Sequence, residues 1–287
     1  MISDLWTYLT DGSHWASGGL TDGLLTNIAD HLLYTVIALV IAAVIAIPAG
    51  LAIGHTGRGA TLVVGTVNAS RALPTLGLLV LLFIVVSPWF TTRTDWVYLL
   101  PVEVVLVLLA IPPLLSGTYS GVQSVDPAVR DAARGMGMTG RQVLLRAELP
   151  NAYPLIMAGL RSATLQVIAT ATVGAYIGLG GLGRPILDGS RLGPFQDNPT
   201  SQQATGQLLT GALLVAVLAL VVDLILATIQ RLTTSRGITG RYLRSQPPPT
   251  APAVGVAVHD VDLSTDAPFS PRTRRTDTGS VTEGESR

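Results

Sequence analysis

The stretch DAARGMGMTGRQVLLRAELPNAYPLIMAGLR, residues 131–161, carries charges and glycines between two long apolar parts of the chain. Apolar segments with almost no charge lie on both sides of it. Charged side chains are stable in water, whereas the flanking segments avoid water. The stretch is therefore expected to lie at a membrane surface and to connect two membrane-spanning segments.

A short helix is predicted to lead into this stretch. Asp126 suits the N-cap position, and Pro127 suits the first helical position. Small and apolar residues then recur at helical spacing. Gly135 and Gly137 predict the end of this helix, because glycine is unfavourable inside a helix and common just after one.

A second short helix is predicted directly after the first. Thr139 and Gln142 have the spacing of a capping box, which predicts a helix over 141–148. The pair Leu149-Pro150 predicts its end, because proline disfavours helical conformation in the residue before it. Helices this short are not stable by themselves. We therefore expect the pair to dock on a soluble partner and transmit its motion to the spans; an ordinary surface loop is the alternative.

The composition indicates that lipid is part of the solvent. Of the 287 residues, 13% are charged, whereas about 25% is typical of soluble domains. The chain has no cysteine and no lysine, which excludes a thiolate nucleophile, a cysteine metal site and a Walker P-loop. The net charge is zero and the four histidines lack ligand spacing. We predict no metal site, no catalytic residues, no enzyme activity and no nucleic-acid partner.

Five apolar runs are long enough to cross a membrane, which requires about 20 residues. They cover residues 32–54, about 73–92, 97 to about 118, 155–179 and 208–230. Residues 61–70 are predicted to form a separate helix on the cytoplasmic side. The alternative fuses this helix with the second run into one long tilted span that buries Arg71. Five spans are predicted, and six are the main alternative, in an all-α polytopic membrane protein.

The distribution of arginine predicts the orientation, because cytoplasmic loops of membrane proteins are rich in positive charge. With the N-terminus outside the cell and the C-terminus in the cytoplasm, most of the arginines that do not belong to a span are cytoplasmic: Arg58, Arg130, Arg134, Arg141, Arg146, Arg231, Arg236, Arg241 and Arg244. Residues 1–30 then form an extracytoplasmic leader. Residues 31–235 form the membrane domain, with the charged loop over about 120–154. Residues 245–287 are rich in Pro, Ser and Thr, and this composition predicts a disordered cytoplasmic tail.

The charged loop resembles the signature cytoplasmic loop of binding-protein-dependent ABC importer permeases. That signature reads Glu-Ala-Ala, three residues, Gly, nine residues and Ile-x-Leu-Pro. This sequence has Asp131-Ala132-Ala133, Gly137 and Ala147-Glu148-Leu149-Pro150 at the same spacing, with Asp131 in place of Glu and Ala147 in place of Ile. The resemblance implies that six residues couple the chain to an ATPase subunit: Asp131, Ala132, Ala133, Gly137, Leu149 and Pro150.

Three further segments are similar to the quaternary-amine branch of these importers, which transports glycine betaine, carnitine, choline or proline as osmoprotectants. They are SRALPTLGLLVLL (70–82), SGTYSGVQSVDPAVRDAARGMGMT (116–139) and ATATVGAYIGLGGLG (169–183). The resemblance covers roughly residues 25–235. A methionine-type or other amino-acid importer permease is the alternative. An ATP-independent transporter or channel agrees less well with the sequence, because the spans contain few charges and the docking loop is long.

The resemblance implies a plasma-membrane permease domain of the methionine-importer (MetI-like) type. It implies four kinds of partner: ATPase subunits, a second permease copy or paralogue, an extracytoplasmic substrate-binding protein, and lipid. ATP would be hydrolysed by the partner subunit, and no cofactor is expected in this chain.

Polar residues along the fourth span are candidates for the lining of a pathway: Thr164, Gln166, Thr170, Thr172 and Tyr176. Hydrogen bonding between helices is the alternative role for them. Glu103 is predicted to lie near the outer interface, and Asp223 to serve helix packing. Arg161 is predicted to reach the inner interface with its long side chain. The glycine-rich run 178–183 follows a span and predicts a break in it.

Overall fold

The computed structural model describes residues 2–16, 23–72, 74–90, 96–194 and 198–234, with the side chains of residues 64, 70 and 71 left out. The predicted tail, residues 245–287, lies outside the described residues. All regular secondary structure in the described ranges is helical, which confirms the all-α class. In chain order the α-helices are α1 (Ile2–Thr10), α2 (Leu24–Thr56), α3 (Ala60–Ala72), α4 (Thr75–Val86), α5 (Trp96–Gln123), α6 (Pro127–Gly135), α7 (Gly140–Val143), α8 (Leu149–Ala171), α9 (Gly183–Arg191) and α10 (Pro199–Thr233).

Four helical segments in the described ranges are long and apolar enough to cross a membrane. They are α2, α5, α10 and the continuous segment Gly140–Ile177, which contains α7 and α8. Four of the five predicted apolar runs fall on these segments. At α2, α5 and α10 the helix extends beyond the run at both ends, because backbone hydrogen bonding continues through polar residues there. The fourth run, residues 155–179, instead passes the end of its helical segment at Ile177.

The second predicted run forms a shorter helix. It contains α4, which has 12 residues, followed by a 3₁₀ turn over Ser87–Trp89. The preceding α3 is a separate helix, as predicted, and α4 begins after Pro74 at its N-cap. A membrane crossing needs about 20 helical residues. The count of five crossings therefore stays a prediction.

The bundle is organised around α5, which packs against both α2 and α8. Towards α5, α2 presents a buried row of small residues four positions apart: Ala38, Ala42, Ala46, Gly50 and Gly54. Small side chains let helices approach closely in a membrane. Large apolar side chains of α2 are exposed elsewhere on its surface, as lipid contact requires: Leu33, Val36, Val40, Ile41, Val44 and Ile45.

The contact between α5 and α8 depends on two glycines that face each other. A Cβ atom on Gly117 would lie 2.8 Å from the Cα atom of Gly159. A Cβ atom on Gly159 would lie 2.8 Å from the carbonyl oxygen of Pro113. Non-bonded carbon atoms prefer a separation of about 3.5–4.0 Å. A side chain at either position would therefore push the two helices apart.

The far end of α8 turns back towards α2. After α8 the chain forms a 3₁₀ turn, Thr172–Ile177, and then enters the glycine-rich run. Gly178 has a φ of +103°, a conformation that favours glycine. The backbone N–H of Gly181 donates to the side-chain oxygen of Asn27 at 3.1 Å. The run is thus the predicted break, and it is tied to the start of α2.

An ion pair attaches α10 to α8. The guanidinium of Arg161 donates to both carboxylate oxygens of Asp223, each at 2.8 Å. The side-chain amide of Gln230 donates to the carbonyl oxygen of Pro154 at 3.0 Å. Asp223 has the helix-packing role predicted for it, and Arg161 takes part in the same contact.

Candidate coupling site

The helix α6 begins as the sequence predicts. A carboxylate oxygen of Asp126 accepts a hydrogen bond from the backbone N–H of Ala128 at 2.9 Å, and Pro127 lies in the first turn. The cap satisfies one of the free N–H groups at the helix start, and proline has none to satisfy. The position of α6 directly after α5 is therefore fixed by local chemistry.

The end of α6 is a Schellman motif built on Gly137, which has a φ of +79°. The N–H of Gly137 donates to the carbonyl of Arg134 at 2.9 Å, and the N–H of Met138 donates to the carbonyl of Ala133 at 3.2 Å. These bonds satisfy carbonyl groups that the helix leaves free. The spacing of Ala133 and Gly137 in the loop signature thus has a backbone cause.

Substitution of Gly137 tests this backbone requirement. Gly137→Ala is expected to lower the free energy of unfolding by about 1 kcal/mol, because an alanine is strained in the left-handed region. Gly137→Asn is expected to destabilise less, because asparagine tolerates that region. Thermal denaturation in detergent compares the two, and equal losses would contradict the motif. Gly135→Ala is the matched control, because an added Cβ there has nothing within 4 Å.

The second predicted helix begins where the sequence predicts but continues past its predicted end. Thr139 and Gln142 form the capping box, in which the side chain of Gln142 accepts from the N–H of Thr139 at 2.8 Å. The predicted end at Leu149-Pro150 is wrong. The helix continues through a π-helical turn, Leu144–Glu148, directly into α8.

The π-helical turn explains how the helix passes Pro150. The N–H of Leu149 bonds to the carbonyl of Leu144, which widens the turn before the proline. The side-chain amide of Asn151 donates to the carbonyl of Ala147 at 2.7 Å and satisfies that oxygen. The sequence rule failed because it considers only an α-helical turn.

The six predicted coupling residues differ in exposure. Asp131, Ala132, Gly137 and Pro150 are exposed, whereas Ala133 is 3% exposed and Leu149 is half-buried. Met136, which is not one of the six predicted residues, is 71% exposed and directly precedes Gly137 in the chain. The exposed residues are available to a partner, whereas Ala133 and Leu149 face the interior. Their coupling role stays a prediction.

A buried carboxylate, that of Glu148, joins this loop to the bundle, and it is not among the predicted site residues. Glu148 is 1% exposed. One of its carboxylate oxygens lies 2.6 Å from Nδ1 of His55, and the other lies 2.9 Å from Nε of Arg130. His55 and Glu148 are separated by 93 positions in the chain. No local pattern marks such a pair, although an acidic residue in a stretch rich in arginine is a weak signal.

The predicted pathway residues lie in different surroundings along α8 and the turn after it. Thr164 is buried, and its hydroxyl donates to the carbonyl of Leu160 in the same helix at 2.8 Å. Gln166 and Thr170 are half-buried. Tyr176 is 57% exposed. Pathway lining by these residues stays a prediction.

At the opposite end of the bundle, α1 packs against α10 beside a polar cavity of about 310 Å³. Its lining includes Tyr8 and His14, whose rings stack with centroids 3.8 Å apart, and the carboxylate of Asp11. Hydrogen bonds from Ser13 hold the pKa of Asp11 below its usual value.

Glu103 in α5 is 8% exposed, and neither carboxylate oxygen has a hydrogen-bond partner among the described residues.

Comparison with known families agrees with this arrangement. The sequence model of the family described as "Binding-protein-dependent transport system inner membrane component" matches residues 38–235. The chain belongs to this family. The match spans most of α2, the whole charged loop and α10, and it therefore covers every element of the candidate coupling site. With its several apolar helices, the permease is a multi-pass membrane protein.

Three relatives illustrate the similarity. The permease is 36% identical to the carnitine transport permease protein OpuCB of Listeria monocytogenes over 169 residues, which are 59% of this chain and 73% of that one. It is 35% identical to the glycine betaine/carnitine/choline transport system permease protein OpuCB of Bacillus subtilis over 59% of this chain and 74% of that one. It is 32% identical to the osmoprotectant import permease protein OsmW of Salmonella typhimurium over 55% and 72%.

Solved structures show the same fold. The permease aligns with an inward-facing structure of the MetNI methionine ABC transporter with a TM-score of 0.59 and 20% identity, over 74% of this chain and 96% of that one. It aligns with an amino acid ABC transporter with histidines with a TM-score of 0.51 and 19% identity, over 73% and 91%. These likenesses confirm the methionine-importer type of fold predicted from the sequence.

Proposed function

We propose that this chain is the permease subunit of an ATP-driven importer for quaternary-amine osmoprotectants such as glycine betaine, carnitine and choline. One observation carries the proposal: the capped helix α6 presents exposed residues at one end of the bundle, in a chain whose relatives are osmoprotectant permeases. The spans form the translocation path. The chain itself performs no catalysis, and a separate subunit hydrolyses the ATP.

The proposed assembly contains two permeases, identical or paralogous, two ATPase subunits and an extracytoplasmic binding protein. The exposed residues of α6 dock on an ATPase subunit. ATP binding moves that subunit, α6 moves with it, and the spans change from inward-open to outward-open. Energetically, the partners bind the two states of the permease with different affinities, and this difference shifts the equilibrium.

The proposed orientation places α6 and the end of α10 on the cytoplasmic side. The hydroxyl of Thr233, at the end of α10, lies 2.7 Å from that of Tyr153, near the start of α8. The loop before α8 and the last turn of α10 therefore lie at the same end of the bundle. The arginine-rich composition of both supports the cytoplasm as their location.

Transport by the reconstituted complex tests the function. With its ATPase and binding protein in proteoliposomes, the permease is expected to import radiolabelled glycine betaine, carnitine or choline only when ATP is present, because ATP binding to the partner subunit shifts the equilibrium between the two states. Methionine serves as the competing substrate. Import of methionine alone would contradict the quaternary-amine assignment, and equal import without nucleotide would contradict the ATP-driven mechanism.

A further inference from the structure

The carboxylate of Glu148 lies where four elements of the permease meet. It belongs to the π-helical turn that continues into α8. Its two oxygens contact His55, the residue next to the last of α2, and Arg130 in α6. Nη2 of Arg130 also donates to the carbonyl of Val122 near the end of α5. One buried acid thus connects the coupling helix to α2, α5 and α8.

A second hydrogen bond strengthens this junction. The side-chain amide of Gln123, the last residue of α5, donates to the carbonyl of Gly54 in α2 at 2.9 Å. His55 and Arg130 are 23% and 20% exposed, whereas Glu148 is 1% exposed. A charge removed from water in this way is stable only with its partners in place. The junction therefore favours one fixed arrangement of the four elements.

We propose that Glu148 is the positioning residue through which displacement of α6 is passed to α2 and α8. The inference rests on the proposed function, because it assumes that an ATPase subunit moves α6. The reason is mechanical: α6 is a short helix between two turns, and the ion pair from Arg130 to Glu148 fixes its inner side to the helices that must move. Without Glu148, α6 still docks on the ATPase, but its motion is no longer transmitted.

The first test uses Glu148→Gln, which keeps the shape and removes the charge. In proteoliposomes with the ATPase and binding protein, the variant is expected to retain the ATPase during purification. The number of ATP molecules hydrolysed per substrate imported is expected to rise about tenfold, which corresponds to about 1.4 kcal/mol of lost coupling, because hydrolysis continues while its motion no longer reaches the spans. The exchange variant Arg130→Glu with Glu148→Arg is expected to restore part of this loss.

The ion pair between Arg161 and Asp223 supplies a matched control. It also joins two helices through a carboxylate and a guanidinium, but it links α8 to α10 and contacts no residue of α6. Asp223→Asn is expected to lower the thermal midpoint without changing the ratio of ATP to substrate. A Glu148→Gln variant that shows an unchanged ratio would overturn the inference alone. A wild-type complex without ATP-dependent import would overturn the proposed function and the inference with it.

A second measurement leaves Glu148 unchanged and so does not depend on the stability of Glu148→Gln. Because the chain has no cysteine, spin labels can be attached to Thr56→Cys at the end of α2 and to Val129→Cys, a half-buried position of α6 outside its exposed face. Electron–electron double resonance then gives the distance between the labels with and without bound nucleotide. The distance is expected to change by less than about 2 Å, because a rigid junction moves as one body. A larger change would show that α6 moves independently of α2 and would overturn the inference.

Discussion

Gly159→Leu is expected to prevent the permease from folding into a stable bundle. A Cβ at this position would already lie 2.8 Å from the carbonyl oxygen of Pro113 and 3.1 Å from the Cα atom of Gly117. Both atoms belong to the backbone of α5 and cannot turn away, so α5 and α8 must separate along their contact. Overpacking in a close-packed interior typically costs 1–3 kcal/mol, and we expect a loss above about 3 kcal/mol here.

The yield of monodisperse protein in detergent and its thermal midpoint measure this effect. Gly65→Leu is the matched control: Gly65 also lies in a helix, α3, but an added Cβ there has nothing within 4 Å. The control is expected to purify with a thermal midpoint close to that of the wild type. Equal behaviour of the two variants would contradict the close contact between α5 and α8.

Ala132→Arg and Ala133→Arg are expected to have different effects, although the two residues are neighbours in the loop signature: the first should impair binding of the ATPase, and the second should impair stability. Ala132 is exposed, so its replacement should leave the permease stable and obstruct the proposed docking surface on α6. Loss of a central contact in an interface costs about 2–4 kcal/mol, or roughly 30- to 1000-fold in affinity for the ATPase. Ala133 is 3% exposed, so an arginine there should destabilise the permease itself.

Two readouts separate the outcomes. Binding of the purified ATPase to immobilised permease measures docking, and thermal denaturation measures stability. Ala132→Arg should lower only the first, and Ala133→Arg should lower the second. Unchanged ATPase binding by a stable Ala132→Arg variant would contradict the proposal that this face of α6 is the docking surface.

Local chemistry explains why much of this fold could be predicted. The cap at Asp126, the capping box of Thr139 and Gln142, and the end of α6 at Gly137 each involve residues a few positions apart. The hydropathy of four runs predicted four long helices, because lipid exposure acts on each helix separately. The break at the glycine-rich run is likewise encoded where it occurs.

The prediction at Leu149-Pro150 failed for an instructive reason. Proline excludes one backbone hydrogen bond, but it does not prescribe how the helix responds. Here the helix widens into a π-helical turn, and the side-chain amide of Asn151 donates to the carbonyl of Ala147. The choice between ending and widening a helix depends on what packs around the turn, and Glu148 in that turn is held by two other elements.

The sequence by itself determined the membrane class, the long helices and the capped helix α6, because these follow from hydropathy and from hydrogen bonds between near neighbours. Only the tertiary structure decided which side of α6 is free and that Glu148 meets both His55 and Arg130. The physical reason is distance along the chain. A buried charge is stabilised by whichever partners the packed helices bring to it, and those partners are selected by the contacts of α2, α5 and α8 together.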